Sequence, residues 1–175
     1  MTIYEGAPQE AREAKEASCY ELLSKLGIKF LRVDHPAAQT MDDCKAVDEA
    51  LDVKMCKNLV LTNRQQTAFY LLLMPGDKPF KTKDLSEQIN SARLSFAGAE
   101  KMEELLGVVP GCASVLSLKN DSDNNVTLLI DEDVLKEEYL CCHPCVNTSS
   151  LKILTKDVID VFLKHCKHSY VKVKL

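Results

Sequence analysis

The sequence predicts an α+β fold, a single domain with a mixed, mostly antiparallel β-sheet flanked by helices. The chain has 175 residues, of which 46% are hydrophobic and 27% charged, enough for one sizeable core and too few for two ordinary domains. Segments with helical spacing of apolar residues are interspersed with short β-prone runs. Short polar connections between neighbouring strand signals favour antiparallel pairs.

The first half of the chain alternates helix and strand signals. Residues 9–26 have apolar side chains near helical spacing, and Gly27 is placed to end that helix. A second helix is predicted from Met41 to Leu51, because Thr40 can cap it and Asp43 supplies an acidic first turn. Strands are predicted over residues 28–33, 57–62 and 67–74, the last two as a hairpin.

The second half continues the alternation. Helical segments are predicted at residues 82–90, 99–106, 131–137 and 155–166, and strands at 114–118, 126–130 and 151–154. We expect 114–118 and 126–130 to form a second strand pair. Residues 171–175 alternate apolar and lysine side chains, which indicates a closing edge strand.

Charge and hydropathy exclude several classes of function. The net charge of −4 argues against a broad electrostatic grip on nucleic acid, and no partnership with DNA is predicted. No apolar run approaches the roughly 20 residues of a membrane helix. The N-terminal segment lacks the apolar stretch of a secretory signal. We therefore expect a cytoplasmic protein without membrane contact, with its eight cysteines as reduced thiols.

The segment Cys141-Cys142-His143-Pro144-Cys145 contains side chains that zinc prefers as ligands. It supplies one knuckle, whereas a structural zinc site usually draws ligands from two. A cysteine nucleophile activated by histidine is a second option. Buried or incidental thiols are the favoured interpretation, and no metal or cofactor is predicted. His35, His165 and His168 are expected to be surface or packing residues.

Two segments rich in glycine, proline and polar residues, 107–118 and 141–150, are candidate walls of a pocket. Gly107 is placed to end a helix, but Pro110 and Gly111 can also turn the chain and present backbone N–H groups. Such donors stabilise negative charge that develops on a carbonyl oxygen. Lys57, at the head of an apolar strand, is either an exposed strand terminus or a fixed cation at the mouth of a cleft.

Four segments together resemble a known family. They are DHPAAQT (34–40), CKNLVL (56–61), LSFAGAEKMEELLGVVPGCASV (94–115) and HPCVNTSSLKI (143–153). Their order and spacing resemble the YbaK and ProX group, the freestanding relatives of the bacterial prolyl-tRNA synthetase editing domain. The resemblance implies an aminoacyl-tRNA deacylase. The His-Pro motif followed by Asn147-Thr148 is more similar to the ProX branch, which removes alanine from mischarged proline tRNA, than to the cysteine-specific YbaK branch.

The resemblance also implies the site residues. The catalytic set it implies is Lys57, Gly107, Pro110 and Gly111, and the substrate-binding set is Thr40, Asn58, His143 and Asn147. The family usually has a proline and an aromatic residue after the glycine loop, where this chain has Leu116 and Ser117. That departure concerns the shape of the pocket and hence the preferred amino acid.

The implied partner is the acceptor end of tRNA(Pro) carrying a mischarged amino acid, with prolyl-tRNA synthetase as a further partner to consider. Three alternatives stay open. The first is a deacylase for Cys- or Ser-charged tRNA, the second a non-catalytic sensor of aminoacyl-tRNA or an amino acid, and the third a metal-binding module on the Cys-His knuckle.

Overall fold

Nine β-strands divide into two sheets in the computed structural model, which describes residues 1–37 and 41–175. The strands are β1 (Ile3–Glu5), β2 (Phe30–Asp34), β3 (Cys56–Asn63), β4 (Phe69–Pro75), β5 (Leu94–Phe96), β6 (Val126–Asp131), β7 (Tyr139–Cys142), β8 (Ser149–Leu154) and β9 (Tyr170–Val173). One sheet has the order β1-β2-β8-β7 and is antiparallel throughout. The other has the order β5-β3-β4-β6-β9 and is mixed. The predicted α+β class is confirmed.

Helices cover these sheets. They are α1 (Ala14–Lys25), α2 (Met41–Leu51), α3 (Thr82–Gln88), α4 (Ala99–Leu106), α5 (Glu132–Leu135) and a short 3₁₀ helix (Val115–Asn120). The final helix, α6, combines helical turns at Thr155–Asp157 and Leu163–His165 with a π-helical stretch at Val158–Phe162. Thr40, the predicted cap of α2, lies outside the described residues. None of the helices in the described part of the chain is long and apolar enough to cross a membrane.

The predicted strand at 114–118 is wrong, because this segment forms the 3₁₀ helix. The Leu116 backbone N–H donates to Ser114 Oγ over 3.1 Å, so the serine side chain caps the helical turn. Residues 115–118 are all buried, and a short apolar run that is buried on every side does not distinguish strand from helix. The neighbours of β6 are instead β4 and β9, and both lie parallel to it.

Three hydrophobic clusters occupy the faces of the sheets. The main core takes residues from both sheets together with α1, α4 and α6. A second cluster lies on the other face of the five-stranded sheet, where α3 packs. In the third, Val47 and Leu51 of α2 pack on Val33 and Cys141 of the four-stranded sheet. Successive side chains of a strand point to opposite faces, so these clusters show which way each site residue points.

Candidate active site

The connection between β7 and β8, here called the 143–148 loop, contains two of the predicted site residues. It lies beside the end of β2, because Ser149 pairs with Asp34 and the His35 backbone N–H donates to the Thr148 carbonyl over 3.0 Å. Two sequence segments about 110 residues apart are thereby joined, DHP at the end of β2 and HPCVN after β7.

His143 is held in a defined tautomer. Its Nδ1 lies 2.9 Å from the Ser149 carbonyl oxygen. Because a carbonyl oxygen only accepts, Nδ1 carries the proton, and Nε2 of the neutral ring is left as an acceptor. Burial lowers the pKa of His143 from its ordinary value of 6.5, the hydrogen bond to Ser149 opposes this, and the nearby His35 lowers it further. The imidazole is therefore neutral at pH 7.

His35 faces His143, with ring centroids 6.3 Å apart. Its Nε2 lies 2.9 Å from Ser150 Oγ, and that hydroxyl lies 3.5 Å from His143 Nδ1. His35 is half-buried and was expected to be a surface or packing residue. The signal that could have indicated its position is the His-Pro pair, which occurs at His35 and again at His143.

Lys57 follows the point at which the two sheets touch. The two sheets touch at a parallel bridge between Met55 and Cys141, whose sulfurs are 3.4 Å apart and which both belong to the α2-side cluster. Lys57 and His143 each lie two residues beyond this bridge, Lys57 within β3 and His143 just past the end of β7. The Lys57 ammonium donates to the Lys78 carbonyl oxygen over 2.6 Å. The bridge thus brings together the two segments that carry these predicted site residues, which are 86 positions apart in the chain.

Asn58 points the other way from Lys57. It pairs with Leu73, a residue of the main core, whereas Lys57 pairs with Met74 of the second cluster. The Asn58 amide donates to the Cys56 carbonyl over 3.3 Å. Its side-chain oxygen is buried without a hydrogen-bond partner among the described residues. A buried oxygen without a partner can accept a hydrogen bond from a ligand.

Gly107 ends α4, as predicted. Its φ of 66° is the left-handed conformation that favours glycine. The Asn120 amide donates to the Leu106 carbonyl over 2.8 Å, and a Cβ on Gly107 would lie only 3.1 Å from that amide nitrogen. These contacts give Gly107 a structural role at the helix end.

Pro110 and Gly111 form an exposed turn beyond this helix. The Cys112 backbone N–H donates to the Val109 carbonyl over 3.0 Å, and Gly111 has a φ of 88°. A Cβ on Gly111 would lie 4.0 Å from the Asn147 side-chain nitrogen. The turn and the 143–148 loop are therefore neighbours, as expected for two walls of one pocket.

A cleft of about 850 Å³ lies where these loops meet the start of α1. Its lining includes Arg12, Lys15, Val109, Cys112, Cys145 and Asn147. The cationic side chains of this lining are accompanied by two carboxylates, Glu13 and Glu16. Both cations are also tied to carboxylates, Arg12 to Asp34 over 2.9 Å and Lys15 to Glu103 over 3.1 Å.

A buried polar network supports the 143–148 loop from behind. Asp34 accepts hydrogen bonds from Ser149 Oγ at 2.6 Å, from Arg12 and from Arg32. Burial raises the pKa of Asp34, but hydrogen bonds from Arg32, Arg12 and Ser149 outweigh it and lower the pKa to about 2. Asp34 is therefore ionised at pH 7. It fixes Ser149, whose carbonyl oxygen in turn holds His143.

The cysteines of the predicted knuckle are part of the interior. Cys141 and Cys142 lie in β7, and burial raises the pKa of both thiols. Within residues 1–37 and 41–175, no group of three or more His, Cys, Asp or Glu side chains is arranged to hold a metal ion.

Leu116 and Ser117, where the chain departs from the family pattern, are both buried. Leu116 is 1% exposed and belongs to the main core. Ser117 is fully buried, and its hydroxyl donates to the Ser114 carbonyl. Both side chains therefore lie in the interior of the protein.

Comparisons with known proteins identify the family of this chain. The family model of the aminoacyl-tRNA editing domain matches residues 35–161. The chain is 27% identical to prolyl-tRNA synthetase associated domain-containing protein 1 of Danio rerio, over 94% of this chain and 88% of that protein. It is 30% identical to the Mus musculus protein of that name, over 85% and 90% of the two chains. It is 25% identical to the prolyl-tRNA editing protein ProX of Acetoanaerobium sticklandii, over 93% and 98%.

A solved structure shares the fold. It is the crystal structure of a candidate trans-editing enzyme for prolyl tRNA synthetase, and it superposes with a TM-score of 0.70 at 17% identity, covering 94% of this chain and 99% of that one. The family match includes the His-Pro segments, β3 and the glycine loop, and it spans more than half of the chain. The protein belongs to the aminoacyl-tRNA editing domain family.

Proposed function

We propose that this protein hydrolyses the aminoacyl ester of mischarged proline tRNA in trans, with Ala-tRNA(Pro) as its main substrate. The proposal is supported by the Met55–Cys141 bridge, which joins the segments that bear Lys57 and His143, and by the nearness of Gly111 to Asn147. The names of the relatives, prolyl-tRNA editing protein and prolyl-tRNA synthetase associated protein, support the same substrate class.

The chemistry requires few groups, because an aminoacyl ester is already activated. Water adds to the ester carbonyl, a tetrahedral oxyanion forms, and its collapse releases the amino acid and the tRNA hydroxyl. We assign the attacking water to His143 Nε2, the acceptor that the Ser149 contact leaves open. We assign the oxyanion to the Lys57 ammonium, which would exchange the Lys78 carbonyl for it.

The glycine turn and the cleft would hold the rest of the substrate. Gly107 and Pro110 shape the turn, and the exposed backbone at Gly111 supplies a further donor. Asn147 would fix the terminal nucleotide. Asn58 lies on the opposite face of β3 from Lys57, so we assign it no contact with the ester.

Discrimination would be steric, because a pocket sized for alanine rejects the larger proline. Thr40 is our proposed pocket residue for that role, and it lies outside the described residues. Apolar pockets separate ligands of similar size by only about 1–3 kcal/mol. Cysteine and serine esters should therefore be hydrolysed as side substrates.

A panel of labelled esters tests this function. The protein is incubated with Ala-tRNA(Pro), Cys-tRNA(Pro), Ser-tRNA(Pro) and Pro-tRNA(Pro), and ester loss is followed. We expect Ala-tRNA(Pro) to be hydrolysed fastest and Pro-tRNA(Pro) to be spared. If the protein accelerates the loss of no mischarged ester, the proposal is overturned. Tight binding of an aminoacyl-tRNA without turnover would favour the alternative of a non-catalytic sensor.

The pH dependence should follow the His143 imidazole. Its lowered pKa means that the neutral form prevails down to a pH below 6.5, so hydrolysis should fall on acidification with a midpoint under that value. Between the lowered pKa and pH 6.5, His143 is mostly neutral in the folded state and mostly protonated in the unfolded state, so the folded state binds fewer protons. The stability that His143 contributes is therefore complete above pH 6.5 and lost as the pH falls through the folded pKa.

Initial rates, corrected for spontaneous hydrolysis, measure this profile. His143→Gln should lower the rate about 10²-fold and flatten the acidic limb. His165→Gln, at an exposed position at the end of α6, is the matched control and should leave both unchanged. An acidic limb that survives in His143→Gln would remove this residue from the mechanism.

A further inference from the structure

Two buried cysteines face each other behind the 143–148 loop. Cys19 lies on α1 and is 1% exposed, and Cys145 lies in the loop and is 3% exposed. Their sulfur atoms are 3.5 Å apart although the residues are 126 positions apart in the chain. A disulfide has an S–S distance of about 2.05 Å, so roughly 1.5 Å of movement separates this contact from a covalent bond.

The pair is chemically unequal. The Cys19 S–H donates to Cys145, which raises the pKa of Cys19 and lowers that of Cys145. Burial of Cys145 opposes this lowering, while Lys119 and Lys15 add to it. A thiolate is the nucleophile in thiol oxidation, so Cys145 is the member that reacts first.

The surroundings provide access for a small oxidant. Cys145 lines the cleft at the start of α1, so a hydroperoxide entering there meets its sulfur before that of Cys19. Cys112 lines the same cleft, and burial raises its pKa. Two cysteines, Cys112 and Cys145, therefore line the cleft. Cys145 has a second thiol, that of Cys19, beside it to complete a disulfide.

We propose that Cys19 and Cys145 form a reversible disulfide when the protein meets a hydroperoxide, and that this bond regulates the editing site. The Cys145 sulfur attacks the peroxide O–O bond, giving a sulfenic acid and the alcohol of the hydroperoxide, which is water when the oxidant is hydrogen peroxide. The Cys19 sulfur then displaces the hydroxyl as water and forms the S–S bond. Two thiols lose two electrons, one hydroperoxide gains them, and a dithiol reductant reverses the reaction.

The regulatory half rests on the proposed function. Cys145 stands between His143 and Asn147, which the mechanism assigns to the water and to the terminal nucleotide. Closing the bond draws this loop toward α1. Displacement of catalytic groups by about 1 Å can cost on the order of 10²-fold in rate, so the oxidised protein should be much less active.

Disulfide mapping tests the bond independently of activity. The full chain is reduced, desalted, treated with graded hydrogen peroxide, blocked with N-ethylmaleimide and digested with trypsin. Cys19 lies in peptide 16–25 and Cys145 in peptide 137–152, so their linkage appears as one mass that dithiothreitol removes. Fragmentation distinguishes Cys145 from Cys141 and Cys142 in the same peptide.

Matched variants make the assignment specific. The linkage should vanish in Cys145→Ser and in Cys19→Ser, and it should persist in Cys142→Ser and in Cys112→Ser. Free thiols at both positions in peroxide-treated wild type would overturn the proposal. So would a 16–25 to 137–152 linkage that persists in Cys145→Ser.

An activity measurement tests the regulatory half. Oxidised wild type should deacylate Ala-tRNA(Pro) at least about tenfold more slowly than reduced wild type, with recovery in dithiothreitol and no effect of peroxide in Cys145→Ser. If the disulfide is mapped but the oxidised and reduced proteins have equal rates, the bond stands and only its regulatory role is overturned. An inactive reduced protein would overturn the proposed function and leave the mapped bond standing.

Discussion

Replacing Lys57 by Ala should slow the hydrolysis of Ala-tRNA(Pro) by about 10²–10³-fold while the protein stays folded. The physical reason is the proposed role of the Lys57 ammonium, a cation beside the ester oxygen on which negative charge develops. Single-turnover rates with saturating protein measure the chemical step, and thermal unfolding checks the fold.

The neighbouring Lys54 provides the control. It is exposed and pairs with Glu137 over 3.0 Å, so Lys54→Ala removes the same charge from the same segment without touching the proposed site. We expect its rate to stay within about twofold of wild type, as for ordinary surface substitutions. Full activity in Lys57→Ala, or an equal loss in both variants, would exclude the assigned role.

The Asp121→Ala substitution should have the largest effect on stability, a loss of about 3–5 kcal/mol in the free energy of unfolding. Asp121 is 2% exposed and accepts backbone N–H groups of Asn125 and Val126 at 2.9 and 2.8 Å. It also accepts from His168 Nε2 at 3.0 Å, and His168 is itself buried. Alanine leaves these donors without their acceptor, where each carries a desolvation penalty.

Urea denaturation of the two proteins measures this difference. Asp123, in the same loop, is exposed, and Asp123→Ala should change the free energy of unfolding by less than about 0.5 kcal/mol. A small change in Asp121→Ala would mean that water replaces the lost acceptor. The contact joins the start of β6 to the chain after α6, so hydrogen exchange should accelerate in both segments.

Hydrophobic periodicity predicted most elements of the fold. The helices α2 and α4 and the β3–β4 hairpin formed where their patterns indicated, because each combines a clear period with a turn or end signal. The strands β1, β5 and β7 were missed. Each is three or four residues long, too short for a period, and depends on a partner strand that is distant in sequence.

The strand prediction for residues 114–118 was wrong for a related reason. Its side chains are buried on all sides, so the spacing of apolar residues carries no information about the backbone conformation. The Ser114 cap and the packing of Leu116 in the main core decided the 3₁₀ helix.

For the site, the sequence predicted which residues take part but not how their side chains lie relative to one another. The sequence alone singled out Lys57, the glycine turn and the segment that contains His143 and Asn147, because residue type, glycine, proline and charge are properties of single positions. The tautomer of His143, the opposite directions of Lys57 and Asn58, and the contact of Cys19 with Cys145 arose only when the sheets assembled. Side-chain direction depends on strand register, and register is set by pairing between segments that lie far apart in the chain.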